Sequence, residues 1–298
     1  MNLTEESAIV AFFRAGGAPD EAASPIVDLT PDRAATIRLG LTSRFDRQHL
    51  INHVRRFPGY GFCTQNGKQF AIAGRWRRRA EIAELVEATR GDRREELIEA
   101  LIRSLTAQGV RLVVLDYGLE ALDPSFFRQV GFNLVERIVE YERSSASIVA
   151  RPRPDLTVRL YRAADRDAIL DLERVSFDWL WWNSADEWDA YVATPAVEVL
   201  VGSVDGRIIG YAGMTVYRRD GHLDRLAVRE DEQGRGYGSG LLTEALLRMD
   251  VRGARRVGLT TQEHNARSQT LYEHYGFHRG RWTYSIHGRW LNPEDLTS

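Results

Sequence analysis

The chain of 298 residues has a single cysteine, Cys63, which excludes an internal disulfide framework and any cysteine-based metal cluster. That usage suits a reducing compartment, so a cytoplasmic protein with no bound metal is expected. Lysine is almost missing as well: Lys68 stands alone among 40 basic residues, a bias that GC-rich coding accounts for without any functional cause. No run approaches the ~18 consecutive apolar residues of a membrane span. The opening stretch MNLTEESAIVAFFRAGG has neither a basic region nor a long apolar core, so no signal peptide is expected. An excess of one charge is missing too. The net charge of −2 gives no pull toward nucleic acid or membrane, and neither is expected as a partner. Hydrophobic content of 43% and charged content of 28% are those of a soluble globular protein, long enough for one large or two ordinary domains.

What is present is a glycine-dense loop between an apolar strand and an apolar helix, in the stretch LDRLAVREDEQGRGYGSGLL from Leu223 to Leu242. The helix carries Leu241, Leu242, Ala245, Leu246 and Met249 on one side. A strand, a glycine loop and a helix N-terminus make an anion trap: unpaired backbone N–H groups, a favourable dipole, and no side chain in the way of a phosphate. A nucleoside-triphosphate loop is excluded, because no lysine follows any of these glycines. A dinucleotide loop would need glycine where Leu241 stands. The loop fits Q-x-x-G-x-G, through Gln233, Gly236 and Gly238.

Downstream of a probable strand (Val257 to Thr261) runs Asn265-Ala-Arg-Ser-Gln-Thr-Leu-Tyr272-Glu-His-Tyr-Gly276-Phe277. Asn265 reads as a helix N-cap and Gly276 as the left-handed residue that ends the helix. The two motifs, in this order and at this distance, resemble the acyl-CoA loop and the N-x-x-[AS]-x-x-L-Y-x-x-x-G-F pattern of the GNAT superfamily of N-acetyltransferases. The resemblance implies acetyl-CoA as cosubstrate and an amine as acceptor. It implies a pyrophosphate site at Gln233, Gly234, Arg235, Gly236, Tyr237, Gly238 and Ser239, with Asn265 beside it. It also implies pantetheine pairing with the backbone of Leu226, Ala227 and Val228, and Tyr272 as the group that protonates the departing thiolate.

The half before the polar, proline-bearing stretch Ser144–Pro154 echoes the half after it. At a constant offset of 145 positions, Glu120 stands for Asn265, Phe127 for Tyr272, Phe132 for Phe277 and Arg93 for Gly238. Asn66-Gly67 and Asp205-Gly206 mark equivalent turns. The expected fold is α+β: two tandem GNAT-like domains, each a central mixed, largely antiparallel sheet flanked by helices. The boundaries are 1–148 and 155–298, a layout similar to that of the mycothiol synthases. The first copy has lost the tyrosine hydroxyl and the glycine loop, so it reads as degenerate and catalysis belongs to the second.

A protonated amine cannot attack a thioester, so a base is required. His222 and Asp224, two apart on one strand, share a face and are both candidates. Phe177-Asp-Trp-Leu-Trp-Trp182, with Trp188 and Tyr191, forms either an aromatic wall for the acceptor or ordinary core, and Asp178, Asp186 and Glu187 are candidate attractors of its charge. The arginine runs 75–79 and 252–256 read as solvated faces by default, the second also as a partner for the CoA 3′-phosphate. The alternative to an enzyme is a non-catalytic acyl-CoA binder that docks to a protein. Oligomeric state is not legible.

Overall fold

The computed structural model describes residues 24–116, 119, 123–146, 148 and 153–292. The opening stretch, Glu120, Ser147 and the Arg151-Pro152 pair lie outside the described residues. The chain forms two compact units, the first Met1–Trp76, Ala80–Asn133 and Gly288–Ser298, the second Arg77–Arg79 and Leu134–His287. Each unit is a mixed sheet with helices on both faces. Among the described residues, no helix is long and apolar enough to cross a membrane.

The first unit runs β1 (Ile26–Asp28), α1 (Pro31–Thr36), α2 (Arg47–Arg56), β2 (Gly61–Thr64), β3 (Phe70–Arg75), β4 (Ile82–Ala88), α3 (Arg94–Ala107), β5 (Leu112–Leu115) and α4 (Pro124–Gln129). Strands β1 to β4 are antiparallel neighbours in order, and β5 lies parallel to β4 after the α3 crossover. Residues Gly288–Trp290 pair with the other edge of β5. Side chains alternate along β3: Ile72 packs with Leu50 and Val54, whereas Ala71 and Ala73 pack with Leu97 and Leu101.

The second unit comprises β6 (Asn133–Arg143), β7 (Thr157–Leu160), α5 (Arg166–Ser176), α6 (Ala185–Val192), β8 (Val197–Val204), β9 (Arg207–Tyr217), β10 (Asp220–Val228), α7 (Tyr237–Val251), β11 (Arg256–Gln262), α8 (Ala266–His274) and β12 (His278–Trp290). Strands β7 to β10 form an antiparallel meander, and the Asp205-Gly206 turn has φ of 49° and 80°, the left-handed pair a two-residue hairpin demands. Helix α7 then crosses over to β11, parallel to β10. The stripe Leu241, Leu242, Ala245, Leu246 and Met249 lies at 0% exposure in the core beneath one sheet face. Trp188, Ile169 and Leu172 of α5 and α6 close the other face on Val199, Val201 and Tyr211.

Strand β6 precedes residue 148 in sequence but sits in the second unit. It forms an antiparallel ladder with β11, from Ile138↔Gln262 to Arg143↔Val257, and β12 flanks its other side.

Candidate active site

A cleft of about 980 Å³ opens in the second unit where β10 and β11 part. Their pairing runs only from Asp220↔Arg256 to Leu223↔Leu259, whereas β10 stays paired with β9 as far as Val228↔Gly210. One ladder edge of Arg225–Val228 is therefore left open. The Arg229 N–H donates to the Ile209 carbonyl at 2.8 Å, which sets the phase. Ala227 turns its backbone groups to β9, and Leu226 and Val228 turn theirs into the gap. The Val228 carbonyl already accepts from Gln233 Nε2 at 2.9 Å and Ser176 Oγ at 3.3 Å, so both backbone groups of Leu226 and the Val228 N–H face the gap. An extended chain in the gap meets it as an added strand would.

The ladder slips between Leu223 and Arg225, making Asp224 the extra residue of a β-bulge. Strict alternation would put Leu226 and Val228 on the face of His222 and Asp224. The bulge adds Arg225 to that face instead and moves Ala227 there, sending Leu226 and Val228 to the α7 side. Nothing in the sequence announces this bulge.

The glycine loop ends the cleft. Gly234 and Gly236 have φ of 79° and 84°, a conformation that strains any residue with a Cβ. Gly236 is the N-cap of α7 and no side chain caps the helix, so its first N–H groups open toward the cleft. Gly238 differs: a Cβ there would meet nothing closer than 3.7 Å, so packing within the protein does not require glycine. Arg235 turns to Glu232 at 3.0 Å. Tyr237 is buried with its hydroxyl donating to Asp155 at 3.0 Å, so it serves the loop through backbone alone. Arg267, which the sequence reading passed over, lines the cleft and donates to Gln233 Oε1. An uncapped helix start, two left-handed glycines and this guanidinium fit a pyrophosphate. The arginines at 252–256 do not join it. They follow the far end of α7, ~22 Å along the helix, where Arg252 pairs with Glu198 and Arg256 with Asp220.

Asn265 caps α8 by accepting from the Ser268 N–H at 3.1 Å, and Gly276 beyond its end has φ of 75°. Tyr272 in that helix lies between Tyr141 and Phe277, with ring centroids 6.2 and 6.0 Å away, and borders the cleft. Burial pushes its hydroxyl up to about 12, with Ser268 opposing weakly, so it holds its proton at neutral pH.

Asp224 faces the cleft from the bulge. Its Oδ2 accepts from Tyr191 at 2.8 Å and Thr215 at 2.7 Å, and its Oδ1 lies 2.7 Å from His222 Nδ1. The carboxylate is thus met by Tyr191, Thr215 and His222, and His222 is half-exposed and lies behind Asp224 without lining the cleft itself. Gly213 is part of this device: a Cβ there would come within 2.4 Å of the Tyr191 hydroxyl. Burial and the Asp224 charge raise the Tyr191 hydroxyl well above the usual phenol range, keeping it a donor.

Beyond Asp224 lies a buried ion pair invisible to motif reading. Glu173, at 0% exposure, accepts from Arg225, from Tyr211 and from the Asn183 N–H at 2.7 Å. Arg225 stacks on Phe177 at 3.8 Å and donates to the Trp181 carbonyl at 3.0 Å. The one available signal is a glutamate on the apolar stripe of α5, beside Leu172. Of the three carboxylates predicted to attract an acceptor, Asp178 lines the cleft, Glu187 is engaged by Arg77 at 3.1 Å, and Asp186 is exposed elsewhere. The tryptophans divide: Trp188 is core, whereas Trp181 lines the cleft.

In the first unit the turn before α3 is filled by side chains. The Arg93 N–H donates to Gln69 Oε1 at 3.2 Å, and a Cβ on Gly91 would lie 2.1 Å from the same side chain. The Arg94 guanidinium lies over Phe126 and Phe127 at 4.2 and 4.7 Å and pairs with Asp123 at 3.1 Å.

A strand left open beside a diverging parallel neighbour ends at an uncapped glycine-loop helix, an arrangement that fits a phosphate-bearing ligand with an extended arm. Residues 159–277 match the family model described as acetyltransferase (GNAT) family. A Bacillus subtilis (strain 168) protein, provisionally described as a ribosomal protein bS18-alanine N-acetyltransferase, is 27% identical over 123 residues, 41% of this chain and 81% of that one. The GCN5-related N-acetyltransferase of Sphaerobacter thermophilus shares the fold at 16% identity and a TM-score of 0.55, over 90% of this chain and 96% of that one. The one from Kribbella flavida does so at 14% and 0.60, over 89% and 70%. Residues 159–277 of the second unit thus carry the likeness to the acetyltransferase (GNAT) family, and the chain is an acyl-CoA-dependent N-acetyltransferase.

Proposed function

We propose that the second unit transfers an acetyl group from acetyl-CoA to a primary amine of a small molecule or peptide, and that the first is a degenerate copy of the same domain. The observation that carries this reading is the meeting, in one cleft, of the open edge at Leu226, the uncapped start of α7 and the Tyr272 hydroxyl. Bound acetyl-CoA supplies an activated acyl carbon and a thiolate leaving group. The loop from Gln233 to Ser239, with Arg267, holds the pyrophosphate, and the open edge at Leu226 aligns the pantetheine arm, which converts a bimolecular attack into a near-unimolecular one. Asp224, on the cleft and backed by His222, takes the proton of the incoming ammonium. Tyr272, protonated at neutral pH, hands its proton to the sulfur as the C–S bond breaks. The name of the Bacillus relative keeps peptide amines within the acceptor class. A tandem reading is supported by the shared order of four antiparallel strands, a crossover helix and a parallel strand in both units, and by the breadth of the likeness to the Sphaerobacter structure.

The test is calorimetry with acetyl-CoA, followed by thiol release over a panel of amines. One site per chain and amine-dependent thiol release are expected. Two equivalent sites would remove the degenerate-copy reading, and no binding at all would remove the donor.

A further inference from the structure

In the sequence Arg77–Arg79 read as part of a solvated face, but these three residues from the first half of the chain are part of the second unit, with Arg79 buried. Arg77 and Arg78 have φ of 51° and 55°, a left-handed conformation that costs a non-glycine residue and persists only when its surroundings enforce it. Contacts that hold this conformation come from the stretch 179–187. Arg77 donates to Asn183 Oδ1 at 2.5 Å and meets Glu187, and its own carbonyl accepts from Ser184 Oγ at 3.4 Å. Arg79, only 2% exposed, donates to the Trp179 carbonyl and lies over the rings of Trp179 and Trp182 at 4.6 and 5.1 Å. Arg225 grips the same turn from beneath through Phe177 and the Trp181 carbonyl.

The turn so clamped lines the cleft beside Asp224 and Arg225, the side on which the proposed transfer puts the amine. It presents Phe177 and Trp181 beside Asp178, with Tyr284 and Asp224 also on the cleft. The arginine charges there are compensated, Arg77 by Glu187 and Arg225 by Glu173. Asp178, 3.6 Å from His264 Nε2, and Asp224, backed by His222, bring carboxylates to the cleft that draw in an ammonium, and the aromatic faces cover what carries it.

Resting on the acetyltransferase reading above, we propose that Arg77–Arg79 is the acceptor-specificity element of this enzyme. It holds the Phe177–Trp182 turn in place as a wall that selects primary amines borne on an apolar body of aromatic size. Covering one such body is a roughly tenfold to hundredfold effect on acceptor binding. Arg77 and Arg79 touch the wall and act through it as positioning residues.

The experiment compares the full-length parent with Arg77→Met, Arg77→Lys and Arg79→Met, using acetyl-CoA with 2-phenylethylamine, spermidine and ethanolamine. The parent is expected to prefer 2-phenylethylamine. The methionine variants are expected to bind acetyl-CoA within about twofold of the parent, which shows that the unit is folded, and to raise KM for 2-phenylethylamine at least tenfold with kcat within about threefold. Arg77→Lys should recover little, because an ammonium lacks the planar fork that reaches Glu187 and Asn183 together. Hydrogen exchange should rise across residues 177–183 in Arg79→Met. The proposal is overturned if the parent binds acetyl-CoA but does not favour the aromatic amine. It is also overturned if the variants keep the parent's KM and exchange pattern, or lose acetyl-CoA affinity in step with acceptor affinity. A parent that neither binds nor consumes acetyl-CoA refutes the enzyme reading itself, a distinguishable result.

Discussion

At the scale of single residues, two titrating groups carry testable consequences. Tyr272→Phe removes one oxygen from a side chain whose ring packing is otherwise complete, and Phe127 shows that phenylalanine fits the equivalent position in the first unit at 1% exposure. Acetyl-CoA affinity is expected to stay within about twofold while kcat falls about 10²- to 10⁴-fold. Steady-state kinetics on the best amine decide it, and a loss of only a few-fold would assign the proton to water. In the first unit Glu84 of β4 has its carboxyl raised to about 7, chiefly by burial and further by Asp116, with Arg44 opposing. A raised carboxyl binds its proton more tightly in the folded state, so its contribution to stability is intact below ~4.5 and is lost as pH climbs toward 7. Glu84→Gln should remove that slope and stabilise the protein at pH 8 by ~2 kcal/mol. Urea midpoints at pH 5 and pH 8 measure it, and an unchanged difference between them would show that Glu84 does not set the slope.

At the scale of elements, the two irregularities of β10 do the positioning. The bulge at Asp224 turns the carboxylate into the cleft, and the early end of the β11 ladder leaves Leu226 open. The loop that follows separates glycines required by backbone from a glycine required by ligand. Gly234 and Gly236 are left-handed, so substitution there strains the loop. Gly238 is not, and a methyl group at that position touches nothing closer than 3.7 Å. Gly238→Ala is therefore expected to keep the parent's melting temperature within a degree or two. It should weaken acetyl-CoA at least tenfold, because the methyl group stands where a phosphate must reach the backbone. Thermal unfolding and calorimetry, run side by side, test both halves. Undiminished affinity would place the pyrophosphate elsewhere.

At the scale of the whole molecule, the second unit is not a contiguous stretch of sequence. Its sheet includes β6, and it takes in Arg77–Arg79. A chain comprising only residues 155–298 would leave β11 with six unpaired residues facing solvent and would strip cover from Tyr272, whose ring packs on Tyr141 of β6. An open apolar edge of that length is an aggregation site. The truncated chain is expected to be aggregated or expanded in size-exclusion chromatography and not to bind acetyl-CoA. A monodisperse fragment with parental affinity would show that β6 is dispensable.

The sequence by itself determined what depends on local conformation. Asp205-Gly206 makes a left-handed turn wherever it stands between two strands. Asn265 and Gly276 start and stop α8, and the glycine loop leaves a helix start uncapped. The α7 stripe, with its helical spacing, could only be buried. These features need a few neighbouring residues and no distant partner, so they were legible from the letters alone, as was the closeness of His222 and Asp224 on one strand. Tertiary structure decided what depends on partners far apart in the chain. The bulge appears only when β10 is laid against β9. Glu173 and Arg225 neutralise each other across 52 positions, Arg79 meets Trp179 across 100, and β6 finds β11 across more than a hundred. Burial of a charge, the phase of a ladder and the membership of a sheet are set by which surfaces meet in space.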